Sequence, residues 1–178
     1  MSYSLISEFH TPEYEGAWFA FTGDRHANRV QIERYLQKKL ADAEGKLIVK
    51  DDGPWWQGGV KLVGLSYSHA SVSVPKDQSQ SGFTLLAFSR THELGVDVES
   101  RGRAFQLKPQ QIADRYFHVA ERQLPFLDLW LRKEAYAKAT RLGLAKTIQL
   151  ESHAITQFLF KTVEKTPVDF TATIALKL

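Results

Sequence analysis

The chain has no cysteine among its 178 residues, which removes disulfides, thiol nucleophiles and cysteine-based zinc centres from consideration. It has no apolar run near the roughly 20 residues needed to span a bilayer. Nor does it carry a strong charge of either sign: 23 Lys and Arg stand against 20 Asp and Glu, a formal net charge of +3. That mild basic excess suits a phosphorylated ligand or an acidic partner, and it is too weak to argue for nucleic acid. A signal peptide is not expected, because Glu8, Glu13 and Glu15 fall among the N-terminal aromatics. These absences predict a soluble, cytoplasmic protein with no membrane contact. With 43% hydrophobic residues, the chain is long enough for one good core or two small lobes.

What is present is organised around Leu127 to Gly143. Helical spacing puts Leu127, Trp130, Leu131, Ala135 and Leu142 on one face. Pro125 suits the first turn of this helix, and Gly143 suits the residue just past its end. Glu134 and Lys138 fall in the middle of the apolar face, one turn apart. A buried charge is costly unless it is paired, ligated or solvated. Two explanations stand. One is a structural i,i+4 pair, worth only a few tenths of a kcal/mol; the other is a cleft lined by a carboxylate and an ammonium.

The rest of the chain alternates short strands and helices. Ala17 to Phe21 reads as a strand, after which Asp24 can cap a cation-rich helix extending to about Ala43. Gly45-Lys46 leads into Leu47 to Lys50, and Asp51 to Gly59 reads as a turn-rich loop. Lys61 to Ser66, His69 to Val74 and Phe83 to Phe88 look like strands, with Lys76 to Gly82 as a polar hairpin tip. Gln106 to Tyr116 and a short piece at Val119 to Arg122 are expected to be helical. Ile148 to Leu150, Phe158 to Val163 and Phe170 to Leu176 are expected as strands. Each half offers a long helix and several strands, an α+β pattern.

Leu94 to Glu99 is the informative strand. Leu94, Val96 and Val98 take one face, while Gly95, Asp97 and Glu99 take the other. Two adjacent carboxylates repel unless a cation neutralises them, and Mg²⁺ is the usual hard cation for oxygen ligands. A solvent-facing strand with two unrelated acids would look the same. Combined with Glu134, the pair would place three carboxylates around one metal, with Lys138 within reach of a bridged phosphate. That is a phosphoryl-transfer arrangement.

Leu94-Gly95-Val96-Asp97-Val98-Glu99 and Trp130-Leu131-Arg132-Lys133-Glu134-Ala135-Tyr136-Ala137-Lys138 resemble the two-part signature of the 4′-phosphopantetheinyl transferases. The closer resemblance is to the monomeric, two-lobed class typified by the surfactin-synthetase activator. Ser66-Tyr67-Ser68-His69 resembles the family's Asn-x-Ser-His element, and Arg115 to Glu121 resembles its Arg-Phe-Phe-Ser-x-x-Glu block. Arg141-Leu142-Gly143-Leu144 resembles the Gly-Lys-Gly-Leu that follows the signature Lys, and Gly45-Lys46 a Gly-Lys-Pro element. These landmarks run in the family's order from about Arg29 to Leu150.

The resemblance implies an α+β fold of two similar, pseudo-duplicated lobes, each a small antiparallel sheet packed with a long helix. The lobes are expected to divide into residues 1–82 and 83–178, within one compact monomer. It implies Mg²⁺-dependent transfer of 4′-phosphopantetheine from coenzyme A to a serine of an acidic acyl or peptidyl carrier protein, releasing adenosine 3′,5′-bisphosphate. Asp97, Glu99 and Glu134 would ligate Mg²⁺, and Lys138 would contact the pyrophosphate of coenzyme A. Ser68 and His69 would hold the 3′-phosphate, with Arg29 and Lys46 nearer the nucleotide end. Glu121, or Glu134 itself, would be the general base. Lys133 matches the signature without an assigned role, and Trp130 is expected to pack.

The chain departs from the family pattern at Leu131, Ser66, Ala70 and His118 and in its shorter gap between Asp97 and Trp130. None of these removes an expected metal ligand or Lys138; they bear on carrier choice and nucleotide affinity. The alternative is a non-catalytic relative that binds coenzyme A or a carrier protein.

Overall fold

The computed structural model describes residues 3–22, 25–71, 81–163 and 166–178. The expected Asp24 cap lies outside these residues, as do 72–74 of one expected strand and 76–80 of the expected hairpin tip. In chain order the elements are β1 (Tyr3–His10), β2 (Glu15–Thr22), α1 (Arg25–Leu40), β3 (Lys46–Lys50), β4 (Gly53–Gln57), β5 (Gly64–Ser71), β6 (Ser81–Ser89) and β7 (Leu94–Ser100). There follow α2 (Pro109–Tyr116), a 3₁₀ turn at Val119–Glu121, α3 (Phe126–Thr140), α4 (Leu144–Thr147), β8 (Phe158–Thr162) and β9 (Phe170–Lys177).

The strands form small antiparallel sheets ordered β1-β2-β6-β5, β3-β4 and β7-β9-β8. With few helices beside them, this is the α+β class expected. Strand alternation gives each larger sheet two apolar faces. Trp18 and Leu85 of the first sheet share a core with Val96, Val98 and Ile174 of the second. The opposite face of the first sheet buries Phe19, Leu86 and Phe88 against Ile32 and Leu36 of α1. On the far face of the second, Ala175 and Phe158 meet Ala135 and Ala139 of α3. The expected division after residue 82 falls inside β6, an interior strand of the first sheet; the chain crosses to the second sheet between Ser89 and Leu94.

Several elements differ from expectation. The region read as a loop over Asp51 to Gly59 contains β4, where Pro54 pairs with Val49 in a sheet of only two strands. A two-stranded ribbon tolerates a residue without an N–H. The separate strands expected over Lys61 to Ser66 and His69 to Val74 are a single strand, β5. No strand forms at Ile148 to Leu150: Gly143 takes φ 78° and Leu144 then opens α4, so that Ile148 packs with Leu129 and Phe117 instead. β1 was not expected at all. It is an edge strand with Leu5 and Ile6 exposed, so its apolar pattern does not report a buried face.

Among the described residues, no helix is long and apolar enough to cross a membrane.

Candidate functional site

The site depends on how closely α3 lies on β7. A side chain at Gly95 would collide with the Ala135 carbonyl and the Ala139 backbone, so this position must be glycine for the helix to sit directly on the strand. Two residues further along the same face comes Asp97, only 4% exposed. From α3, Glu134 and Lys138 lie one turn apart and project toward this face.

Lys138 does not pair with Glu134 in the way i,i+4 spacing alone suggests. Its Nζ lies 2.7 Å from Asp97 Oδ1 and 2.9 Å from Ser68 Oγ. Ser68, on β5, donates its hydroxyl to the same Asp97 oxygen at 2.8 Å. Three elements distant in sequence therefore converge on one carboxylate oxygen. The other oxygen, Asp97 Oδ2, is buried and has no hydrogen-bond partner among the described residues. An orphaned buried carboxylate oxygen is rare and calls for an explanation.

Glu134 stands close enough to Asp97 to be perturbed by it. Burial first, and the Asp97 charge second, push its carboxyl above the ordinary value, against the opposing pull of Lys138 and Arg103. The hard oxygen donors, the orphaned Oδ2 and the repulsion between Asp97 and Glu134 all fit a divalent cation. Glu99, however, is turned aside: it pairs with Arg103, which follows it in the turn after β7. Accordingly, no three acidic or imidazole groups among the described residues are gathered closely enough to hold a metal. Of the three residues expected to ligate the metal, Glu134 feels the charge of Asp97, and Glu99 is held by an arginine.

Glu121 is elsewhere. It is fully buried and accepts from Lys133 Nζ at 2.5 Å and from the Ser152 N–H at 2.7 Å. Lys133 also donates to the Leu150 carbonyl. Burial pushes the Glu121 carboxyl up, but the hydrogen bonds from Lys133 and Ser152 together outweigh it and hold the group below its usual value. Both oxygens are thus occupied, and Lys133, which had no expected role, is the partner. This arrangement ties α3 to the segments on either side of it and gives each Glu121 oxygen a protein donor in a fully buried setting.

On the other face of β5, His69 shares a small recess with Arg29, Asn28, Tyr67 and Thr84. Arg29 donates to the Leu47 carbonyl at 2.8 Å, which brings it beside Lys46, an exposed residue at the start of β3. His69 and Arg29 therefore share a recess, Lys46 adjoins in sequence the residue that Arg29 bonds, and Ser68 faces away from the recess.

Two residues here escaped sequence reasoning. Thr84 sits opposite His69 in the β5–β6 register, with its hydroxyl buried and unpartnered among the described residues; only the register could have revealed it. Arg103 also lines a cavity of about 630 Å³ with Phe105, Leu107, Tyr116 and Trp130, its guanidinium lying 4.6 Å from the Phe105 ring centre. No periodicity signalled it, because Arg103 reaches Glu99 through a turn. Trp130 packs as expected, stacked on Phe126, and it forms part of that cavity wall.

No curated protein matches the chain at a significant level. The family model of the 4′-phosphopantetheinyl transferase superfamily matches residues 93–175, a span that holds Asp97, Glu99, Glu121, Glu134 and Lys138, and this match supports placing that part of the chain in the superfamily.

Proposed function

We propose that the protein is a Mg²⁺-dependent 4′-phosphopantetheinyl transferase acting on an acyl or peptidyl carrier protein. The family match supports phosphopantetheinyl transferase-type function in general. The observation that carries the specific reading is Asp97, held on one oxygen by Lys138 and Ser68, with its other oxygen buried and unpartnered among the described residues and its charge felt by Glu134.

In the proposed reaction, the hydroxyl oxygen of a carrier serine bonds to the β-phosphorus of coenzyme A. The bond from that phosphorus to its bridging oxygen breaks, and adenosine 3′,5′-bisphosphate leaves. Glu134 takes the serine proton; burial and the Asp97 charge raise its proton affinity, which favours that transfer. Glu121, with both oxygens occupied, is the weaker candidate. Asp97 and Glu134 would hold Mg²⁺, joined by Glu99 once it leaves Arg103, and the ion would supply positive charge to the pyrophosphate. Lys138 is 32% exposed and can exchange Asp97 for the incoming pyrophosphate, where fixed charge lowers the barrier.

His69, Arg29 and Lys46 form the nucleotide end of the site. The apolar cavity beyond Arg103 would take the uncharged part of the arm. The two larger sheets with their helices are read as the two lobes of a monomer, with coenzyme A between them. An acidic carrier agrees with the chain's net charge of +3.

The test is incubation with coenzyme A, Mg²⁺ and a panel of apo-carriers, reading the mass gain of the arm. Asp97→Ala should give no gain while its circular dichroism stays that of the wild type. Full modification by Asp97→Ala or Glu134→Ala would remove the metal assignment. A wild type that binds coenzyme A but modifies no carrier would favour a non-catalytic relative.

A further inference from the structure

Ser68 and His69 are sequence neighbours, and in an extended strand neighbours face opposite ways. The structure separates them on this rule. His69 and Tyr67 turn to the recess with Arg29, whereas Ser66, Ser68 and Ala70 turn inward. Ser66 Oγ accepts the Val96 N–H at 3.1 Å, and Ala70 joins the shared core. Ser68 is 6% exposed and is occupied with Asp97 and Lys138. One ligand phosphate cannot meet both side chains unless the strand is rebuilt.

We infer that Ser68 is a positioning residue of the acid cluster and not a contact of the nucleotide's 3′-phosphate: with Lys138 it saturates Asp97 Oδ1, so that Oδ2 alone is presented to a divalent cation. The inference rests on the proposed metal site and adds a specific division of labour to it. A carboxylate on β7 can rotate about its last torsion, which is broad. Two donors on one oxygen stop that rotation. The Ser68 hydroxyl can donate to only one acceptor, and here that acceptor is Asp97. Its lone pair takes the Lys138 ammonium, so the three groups brace one another. When Lys138 turns to the pyrophosphate, Ser68 remains as the single group holding Asp97 in place. Partners of this kind around a metal ligand typically carry 10- to 100-fold in metal affinity.

The test compares wild type, Ser68→Ala, Ser68→Thr and His69→Ala by two readouts. One is Mn²⁺ affinity from its electron paramagnetic resonance signal, without carrier protein. The other is the ratio of kcat/KM for coenzyme A to that for 3′-dephospho-coenzyme A. Ser68→Ala should weaken Mn²⁺ binding by about 10- to 100-fold and leave the ratio unchanged. Ser68→Thr, which keeps the hydroxyl, should restore Mn²⁺ affinity. His69→Ala should do the reverse, collapsing the ratio with Mn²⁺ binding intact. Unchanged Mn²⁺ affinity in Ser68→Ala overturns the inference and leaves the proposed function standing, as does a collapsed ratio in that variant. A wild type that binds no Mn²⁺ overturns both together.

Discussion

Helix α3 carries two lysines, Lys133 and Lys138, and each meets a carboxylate from another element with opposite consequences. At roughly 100° per residue they project about 140° apart around the helix, so they reach different neighbourhoods. Lys133 is 2% exposed and finds Glu121, each of whose oxygens then has a protein donor. Lys138 keeps a third of its side chain in water and finds Asp97, of which one oxygen has no partner among the described residues. A sealed pair in which every oxygen has a donor is a fastening. A pair with one charge free to move and one oxygen unsatisfied has capacity left for a ligand. Burial alone does not separate the two, because Asp97 and Glu121 are both inside the protein; the count of unsatisfied atoms does.

The sharpest way to break this contrast is to remove each lysine in turn. Lys133→Met leaves Glu121 as an uncompensated buried charge, which should cost about 3–5 kcal/mol. For a chain of this size that is a fall in melting temperature of roughly 6–20 °C. Adding Glu121→Gln to it should recover most of the loss, since replacing both partners of a buried pair is often close to neutral. If Lys133→Met melts like the wild type, Glu121 is not sealed and returns as a candidate base.

Lys138→Ala should show the opposite profile. Water can reach the space it vacates and offset part of the charge left on buried Asp97, so its effect on stability should be smaller than that of Lys133→Met. Its effect on turnover should be about 100-fold, the scale of losing one fixed charge at a phosphoryl or oxyanion centre. Carrier modification followed by mass spectrometry, alongside thermal melts, reads both. Unchanged turnover would reject a phosphate role for Lys138, and a loss of stability to match Lys133→Met would make the two pairs alike after all.

The positions of α3 and β7 were legible because periodicity reports them directly: one face of a helix, one face of a strand, and a glycine where the two must touch. The pairing within the cluster was not. Spacing along the helix joins Glu134 to Lys138, yet the ammonium goes to Asp97, because Gly95 lets the helix sit close enough for a second carboxylate to compete. The same limit hid the closure of Glu121 by Lys133, since nothing in either local segment says that they meet. Arg103 returns to Glu99 through a turn closed by its own N–H to the Ser100 carbonyl, a contact set by loop geometry and not by periodicity. β4 was lost for a different reason. Gly53 and Pro54 are strong turn formers, and only a two-stranded ribbon excuses them.

The finest separation of the two neighbourhoods is in pH. Glu121 lies below its usual value in the folded chain, so its contribution to stability is fully present above the unfolded carboxylate range and is lost as pH falls through the folded value. Glu134 lies above its usual value, so the folded chain prefers it protonated. Its contribution is present in acid and is lost as pH rises through the folded value. In the metal-free protein, Glu134→Gln should therefore raise the melting temperature at neutral pH, and the gain should shrink in acid. Mg²⁺ should close the same gap from the other side: a cation that binds only the folded state stabilises it by mass action, so added Mg²⁺ should raise the wild-type melting temperature at neutral pH and do little for Glu134→Gln. Thermal melts of both proteins with and without Mg²⁺ check this in one series. Equal responses of wild type and variant to the ion would mean that Glu134 lies near Asp97 without sharing its ligand, and that the raised carboxyl serves only as the proton acceptor.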